Sequence, residues 1–172
     1  MERAVHEQMY SYLKVYHCPS DQSLQKLSGA AISPNAIPPR FKGNYGPNWG
    51  KGTYANAREH APFAQNYGAR TQEIRDGLSK TLAMMEMLQA PSPPGKIDRR
   101  GDIWNEGPGN YQISTRLGPN SPEPDKTRCF DQSHEKLPCV NIGNGGASFL
   151  TARSRHPGIV QVLLMDASVH AF

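Results

Sequence analysis

The chain has 172 residues, 16 of them Gly and 15 Pro, and sets 19 Lys and Arg against 15 Asp and Glu for a formal charge of +4. That length predicts one domain, and so much Gly and Pro excludes a long helical bundle. Leu, Ile, Val and Phe supply only about 17% of the residues, so the core must be small, and the basic residues are too scattered to form a nucleic-acid stripe.

In residues 1–17, Val5, Met9, Tyr12, Leu13 and Tyr16 fit one face of a short helix, although the stretch ending at Tyr16 fits a strand equally well. Cys18-Pro19-Ser20-Asp21 ends it, because proline disfavours helix in the residue before it. Residues 28–70 form a loop-rich tract with Pro34, Pro38, Pro39, Pro47 and Pro62, anchored by Phe41, Tyr45, Trp49, Tyr54, Phe63 and Tyr67. Residues 71–90 contain helix formers, Thr81 to Leu88, after an Asp76-Gly77 turn signal, and propensity alone predicts a helix there. A proline cluster over 91–95 makes a surface connection.

Beyond it, a strand is predicted around Ile103-Trp104, then a Gly-rich turn and a second strand over Tyr111 to Ile113. Residues 116–148 read as one long loop. The C-terminus predicts a β-hairpin: apolar 159–165, a polar turn at Asp166-Ala167-Ser168, and alternating 169–172. Val162, Leu164 and Met165 are too apolar for an uncovered edge, which places the hairpin within an antiparallel sheet.

Cys18, Cys129 and Cys139 match no zinc-ligand spacing, so no structural zinc is expected from them. Cys129 and Cys139 bracket a polar segment that lacks the apolar content to order itself, so a disulfide is expected there, leaving Cys18 unpaired, against the alternative of two free thiols in a reducing cytoplasm. No run approaches a membrane span, and the first 18 residues lack the apolar stretch of a signal peptide. The basic patch from Arg153 to His156 is read as a solvated loop.

Ser154, His156, Asp166 and Ser168 can be drawn as a catalytic set, but no presenting turn of the G-x-S-x-G kind occurs, and His156 is expected to enter a strand bonded to backbone. Asp76, Glu86, Asp102 and Asp166 are the candidates for a calcium site, set against carboxylates that cap turns or pair with Arg, since no EF-hand loop is present. Gly143 to Gly146 lacks the Lys and Ser or Thr of a phosphate loop, and Arg100-Gly101-Asp102 is too short a match to carry an adhesion role.

Several of these segments together resemble a family of prepilin-like proteins of unknown function, abundant in planctomycete-type bacteria, that end in a His-X9-Asp-Gly signature. The resemblance is carried by Cys18-Pro19-Ser20-Asp21, by Asn44-Tyr45 through Trp49-Gly50, and by Ile74-Arg75-Asp76-Gly77 through Glu86. Gly101-Asp102-Ile103-Trp104 and Ser154-Arg155-His156-Pro157-Gly158 through Asp166 complete it. Its signature residues here are Cys18, Asp21, Asn44, Trp49, Asp76, Gly77, Glu86, Asp102, Trp104, His156 and Asp166. Ala167, Ile159 and Lys80 depart from it, standing where Gly, Gly and Asn are usual.

The resemblance implies an α+β, mainly β, pilin-like globular head with an antiparallel sheet and long loops, over residues 1–172, with 1–17 as a connector and 18–172 as the loop-rich sheet domain. It turns 81–87 into a strand, expected near the C-terminal hairpin in the same sheet. It implies a non-enzymatic, extracytoplasmic structural subunit of the type II secretion or type IV pilus class, without catalytic residues, with no cofactor unless calcium, and with other pilin-like subunits as partners. Such proteins carry a long apolar N-terminal helix, and nothing of that kind precedes Met1, so the chain as written is expected to be a monomeric head. The other reading is a secreted carbohydrate- or surface-binding module using Tyr45, Trp49, Tyr54 and Tyr67.

Overall fold

The computed structural model describes residues 10–21, 26–27, 40–59, 61–93, 95–130 and 134–172. Its centre is a four-stranded antiparallel sheet in the order Val169–Ala171, Gln161–Leu164, Leu82–Glu86, Tyr45–Pro47. The first two strands are the hairpin expected at the C-terminus, with Val162 opposite His170 and Leu163 opposite Val169. In its turn Ala167 takes φ +68, a conformation that glycine adopts without strain, and the Asp166 carboxylate accepts from the Ser168 N–H at 3.0 Å and its hydroxyl at 2.6 Å.

Residues 82–86 form a strand, as the resemblance implied and against helix propensity. The reason is tertiary: Met85 lies opposite Val162 on one side and opposite Gly46 on the other, so the segment is paired along both edges. Met85, Val162 and Leu164 then face a core completed by Met87, Ile113, Leu150, Ala152 and Val160. Gly46 is required by close packing, because a Cβ there would lie 1.9 Å from the Tyr111 carbonyl oxygen.

Short ladders surround this sheet. Lys26–Leu27 pairs with Arg40–Phe41 and Phe63–Ala64 with Tyr67–Gly68, both antiparallel. Ile113–Ser114 pairs with Leu150–Thr151 and Asp125–Thr127 with Cys139–Asn141, both parallel. The helices of the described residues are short 3-10 turns, the longest being Tyr54–Glu59, and none is long and apolar enough to cross a membrane. The fold is therefore mainly β.

Four sequence expectations need correction. Ile103 and Trp104 lie in a turn, not a strand: Gly101 has φ +91, the Ile103 N–H bonds back to the Gly101 carbonyl, and the Trp104 indole N–H donates to the Phe41 carbonyl. The strand expected over Tyr111 to Ile113 is displaced to Ile113–Ser114. Residues 116–148 are not one loop, since the paired strands Asp125–Thr127 and Cys139–Asn141 organise them. At the front, Lys14–Tyr16 is a single 3-10 turn, and the expected face at Val5 and Met9 lies outside the described residues, as do Pro34, Pro38 and Pro39.

Cys129 and Cys139 form the expected disulfide, and Cys18 is a buried free thiol. Reducing the disulfide should lower stability by about 2–3 kcal/mol, because the unfolded chain regains the entropy of an open loop. Urea denaturation with and without reductant checks this. An unchanged midpoint would mean that the parallel ladder alone fixes the loop.

The interior is unusually polar: among the described residues more polar than apolar side chains are buried. Asp98, Arg100, Asp125 and Arg153 form a buried chain of alternating charge, with Arg100 on Asp98 at 2.7 Å and on Asp125 at 3.5 Å, and Arg153 on Asp125 at 3.2 Å. Arg40 grips Asp102 through two nitrogens. Lys42, 1% exposed, donates to the carbonyls of Ala90 and Asp98 at 2.5 and 2.6 Å and to the Ser92 hydroxyl at 2.9 Å. A chain poor in large apolar residues thus fills its interior with ion pairs and, at Lys42, with an amine ringed by three acceptors.

Candidate functional site

The entry segment, residues 13–21, crosses the end of the central sheet and is fastened there by side chains. Asn44, just ahead of Tyr45–Pro47, uses its whole amide. Its Oδ1 accepts from the Cys18 N–H at 3.1 Å and from Gln89 Nε2 at 2.7 Å, while its Nδ2 donates to Asp21 Oδ2 at 2.7 Å and to the Met87 carbonyl at 2.9 Å. Its backbone N–H adds a bond to the Tyr16 carbonyl. Asp21 is 4% exposed and also accepts from the Gln89 N–H at 3.2 Å and from Arg155 Nε at 3.1 Å.

Beside this knot lie Cys18, Ser20, Glu86 and His156. Glu86 ends the Leu82–Glu86 strand, is 1% exposed, and accepts the Gln161 N–H on Oε2 at 2.6 Å. His156 comes from the loop ahead of the hairpin, where the Ser154 hydroxyl accepts the His156 N–H and donates to the Ile159 carbonyl, and Gly158 turns with φ +72. The ring Nε2 of His156 lies 3.5 Å from Cys18 Sγ, 3.2 Å from Ser20 Oγ and 3.3 Å from Glu86 Oε1. Cys18 Sγ and Ser20 Oγ are 3.1 Å apart. Burial, with Cys18 and Glu86 alongside, pushes the Tyr45 hydroxyl up to about 12, so it stays protonated.

Cys18, Asp21, Asn44, Glu86 and His156 are thus brought together from the signature. The others go elsewhere. Trp49 is buried, stacks on Tyr54 at 5.6 Å and donates to its carbonyl. Asp76 and Gly77 form an exposed turn with Gly77 at φ +93, Trp104 packs edge-on against Tyr16, and Asp166 caps the hairpin turn. Asp102 is held by Arg40.

The four calcium candidates therefore do not act together: Asp102 is spent on Arg40, Asp76 and Asp166 are exposed turn residues, and Glu86 faces His156. Nor does His156 bond to backbone through its ring, as expected. The Ser154–His156–Asp166–Ser168 drawing fails too, because the Ser154 hydroxyl serves its own loop and Ser168 and Asp166 bond each other in the distant turn.

Sequence reasoning missed Tyr45, Gln89 and Arg155 as members of this knot, and it read Arg153 as solvated although it is 2% exposed. The available signal was the number of Asp and Arg residues in a chain with too little apolar material to bury in their place.

Neither a curated protein nor a solved structure matches the chain. Its family is matched along the whole length: the chain belongs to the family described as "Protein of unknown function (DUF1559)", whose model covers residues 1–172.

Proposed function

We propose that the chain is the non-enzymatic globular head of a pilin-like subunit, of the pseudopilin or type IV class that serves type II secretion or surface fibres. The observation that carries this reading is the fastening of the entry segment. Backbone or side-chain atoms of Tyr16, His17, Cys18 and Asp21 are each hydrogen-bonded to Asn44 or Gln89. Arg155 grips Asp21 from the opposite end of the chain. A head that takes load from a stalk needs its entry tied to its sheet in this manner, and it needs no active site.

The same geometry argues against a cysteine nucleophile. In a working triad the thiol meets one imidazole nitrogen and the orienting group meets the other. Here Cys18 and Glu86 approach the same nitrogen, Nε2. The disulfide also fits an oxidising, extracytoplasmic setting.

Pilin-like subunits associate through an apolar N-terminal helix, and polar heads add only modest contacts. The 172-residue chain is therefore expected to scatter light as a monomer at tens of micromolar, and to polymerise in a membrane when a prepilin helix is fused ahead of Met1. Filaments formed by the chain alone, or a fusion that inserts but never assembles beside pilus or secretion components, would overturn the reading.

A second reading has its own observation. A cleft of about 240 Å3 is lined by Trp49, Tyr54, Phe63, Tyr67 and Tyr111 together with the polar Glu106 and Gln112. Aromatic walls with a polar margin suit a sugar ring. Specific binding on a glycan array, lost in a folded Tyr67→Ala variant, would favour the binding module; no binding removes it.

A further inference from the structure

We propose that Cys18 Sγ, His156 Nε2 and Glu86 Oε1 form a site for a thiophilic divalent cation, zinc above all, with the fourth position open toward Ser20. This goes beyond the head reading and holds whether or not the head enters a fibre.

The geometry comes first. The three ligand atoms lie within 4.8 Å of one another, each from a different part of the chain. With ordinary zinc bond lengths, a tetrahedral site has edges of about 3.5 Å between sulfur and nitrogen and about 3.3 Å between nitrogen and oxygen. The corresponding separations here are 3.5 Å for Cys18 to His156 and 3.3 Å for His156 to Glu86. Ser20 Oγ, 3.1 Å from the sulfur and 3.2 Å from the nitrogen, lies where a weak fourth ligand or a bound water belongs.

The second argument is crowding at one atom. An imidazole Nε2 carries either one lone pair or one N–H, and both point along a single direction in the ring plane. Three polar atoms converge on the Nε2 of His156, and one hydrogen bond cannot serve them all. A cation on that axis meets all three donors at once.

Charge and softness decide the ion. A Cys18 thiolate and a Glu86 carboxylate bring two negative charges into a buried place, and a divalent cation makes the assembly neutral. One sulfur, one nitrogen and one carboxylate oxygen suit zinc and do not supply the six to eight oxygens that calcium takes. On loading, Cys18 gives its thiol proton to solvent and His156 binds as the neutral ring, with its proton on Nδ1.

The surroundings already hold the ligands in place. The Gln161 N–H fixes the other oxygen of Glu86 at 2.6 Å, and Asn44 Oδ1 fixes the backbone of Cys18 at 3.1 Å, as outer partners do around metal sites. The site borders solvent on one side, because the His156 side chain is 29% exposed and forms part of the wall of a cavity of about 450 Å3 with Asn120 and Arg155. The ion would join residues 138 positions apart, a closure that local spacing rules cannot reveal and that constrains a very long loop.

Cobalt titration of the intact, oxidised chain tests the proposal. Cys129 and Cys139 are locked in their disulfide, so a sulfur-to-cobalt charge-transfer band can arise only from Cys18. The expected result is that band together with the strong visible absorption of tetrahedral cobalt. Both should saturate at one ion per chain and be displaced by stoichiometric zinc but not by excess calcium. Cys18→Ser should abolish the band. His156→Ala should weaken zinc binding by more than the roughly 10–100-fold that loss of an outer-shell partner costs. His170→Ala, on the exposed edge strand, should leave both readouts unchanged. Should the Cys18 or His156 variants fail to fold, zinc should still slow alkylation of Cys18 in the unaltered chain. Absence of the band, a band that survives His156→Ala unchanged, displacement by calcium, or an alkylation rate indifferent to zinc would each overturn the site.

Discussion

Replacing Asp125 by Asn should lower the unfolding free energy by about 3–5 kcal/mol, the cost of leaving a buried charge without its partner. Asp125 stands between two guanidinium groups: Oδ1 accepts from Arg153 at 3.2 Å and from the Thr151 N–H at 2.9 Å, while Oδ2 faces Arg100 at 3.5 Å. Asn removes the negative charge and leaves one oxygen to accept where two did. Arg100 keeps Asp98, but Arg153 keeps only the Ser121 and Glu123 carbonyls. Urea denaturation measures the loss, with exposed Glu123→Gln as a control expected near zero. A loss below about 1 kcal/mol, in the range of exposed pairs, would show that water reaches the network.

The next largest effect is in the pH dependence of Lys42. Burial pushes its pKa down from 10.5 to about 7, against the pull of Asp98 and Asp102 and with Arg100 and Arg40 nearby adding to the decrease. Between those two values the unfolded chain holds a proton on this lysine that the folded chain does not, so unfolding takes up a proton and stability rises with pH. The rise from pH 7 to pH 9 should be on the order of 2 kcal/mol. Lys42→Met removes the titrating group and leaves the Ala90 carbonyl without its lysine donor, at a further cost of about 1–3 kcal/mol per buried polar group left unpaired. The gap between the two proteins should therefore widen toward pH 9. Parallel profiles would mean that the three acceptors hold Lys42 charged.

What could be read from the sequence was local. The hairpin was legible because a β-branched apolar run, a polar turn and an alternating strand adjoin each other, and the disulfide because its cysteines flank a segment poor in apolar residues. The Leu82–Glu86 strand was not legible from its residues, which favour helix. It became so only through the resemblance, since pairing on both edges is decided elsewhere in the chain.

The site shows the same division. Cys18, Asp21, Asn44, Glu86 and His156 were each singled out, but their meeting depends on the order of the sheet strands, and no spacing rule reaches across 138 positions. Zinc-ligand spacing rules pair ligands close in sequence, so they do not reach the Cys18, Glu86 and His156 cluster. Arg153 was misread for a related reason: a basic cluster says solvent until its carboxylates are found, and Asp125 lies 28 residues away. Asp102 takes the alternative to calcium that the sequence left open, a pairing with Arg, but its partner Arg40 lies 62 positions back, beyond any local pattern.

An interior that buries so many ion pairs also sets how the fold answers to temperature. Newly exposed apolar surface raises the heat capacity of an unfolding protein, and exposed polar surface lowers it. With buried polar side chains outnumbering apolar ones among the described residues, the heat-capacity increment should fall below the usual value of roughly 12–15 cal/mol/K per residue. The stability curve is then shallow, with little loss on cooling. Because the desolvation penalty of charged groups falls as water warms, the paired charges retain their contribution over a wide range. A fold built this way should keep a more even stability across temperatures than one held by apolar burial alone.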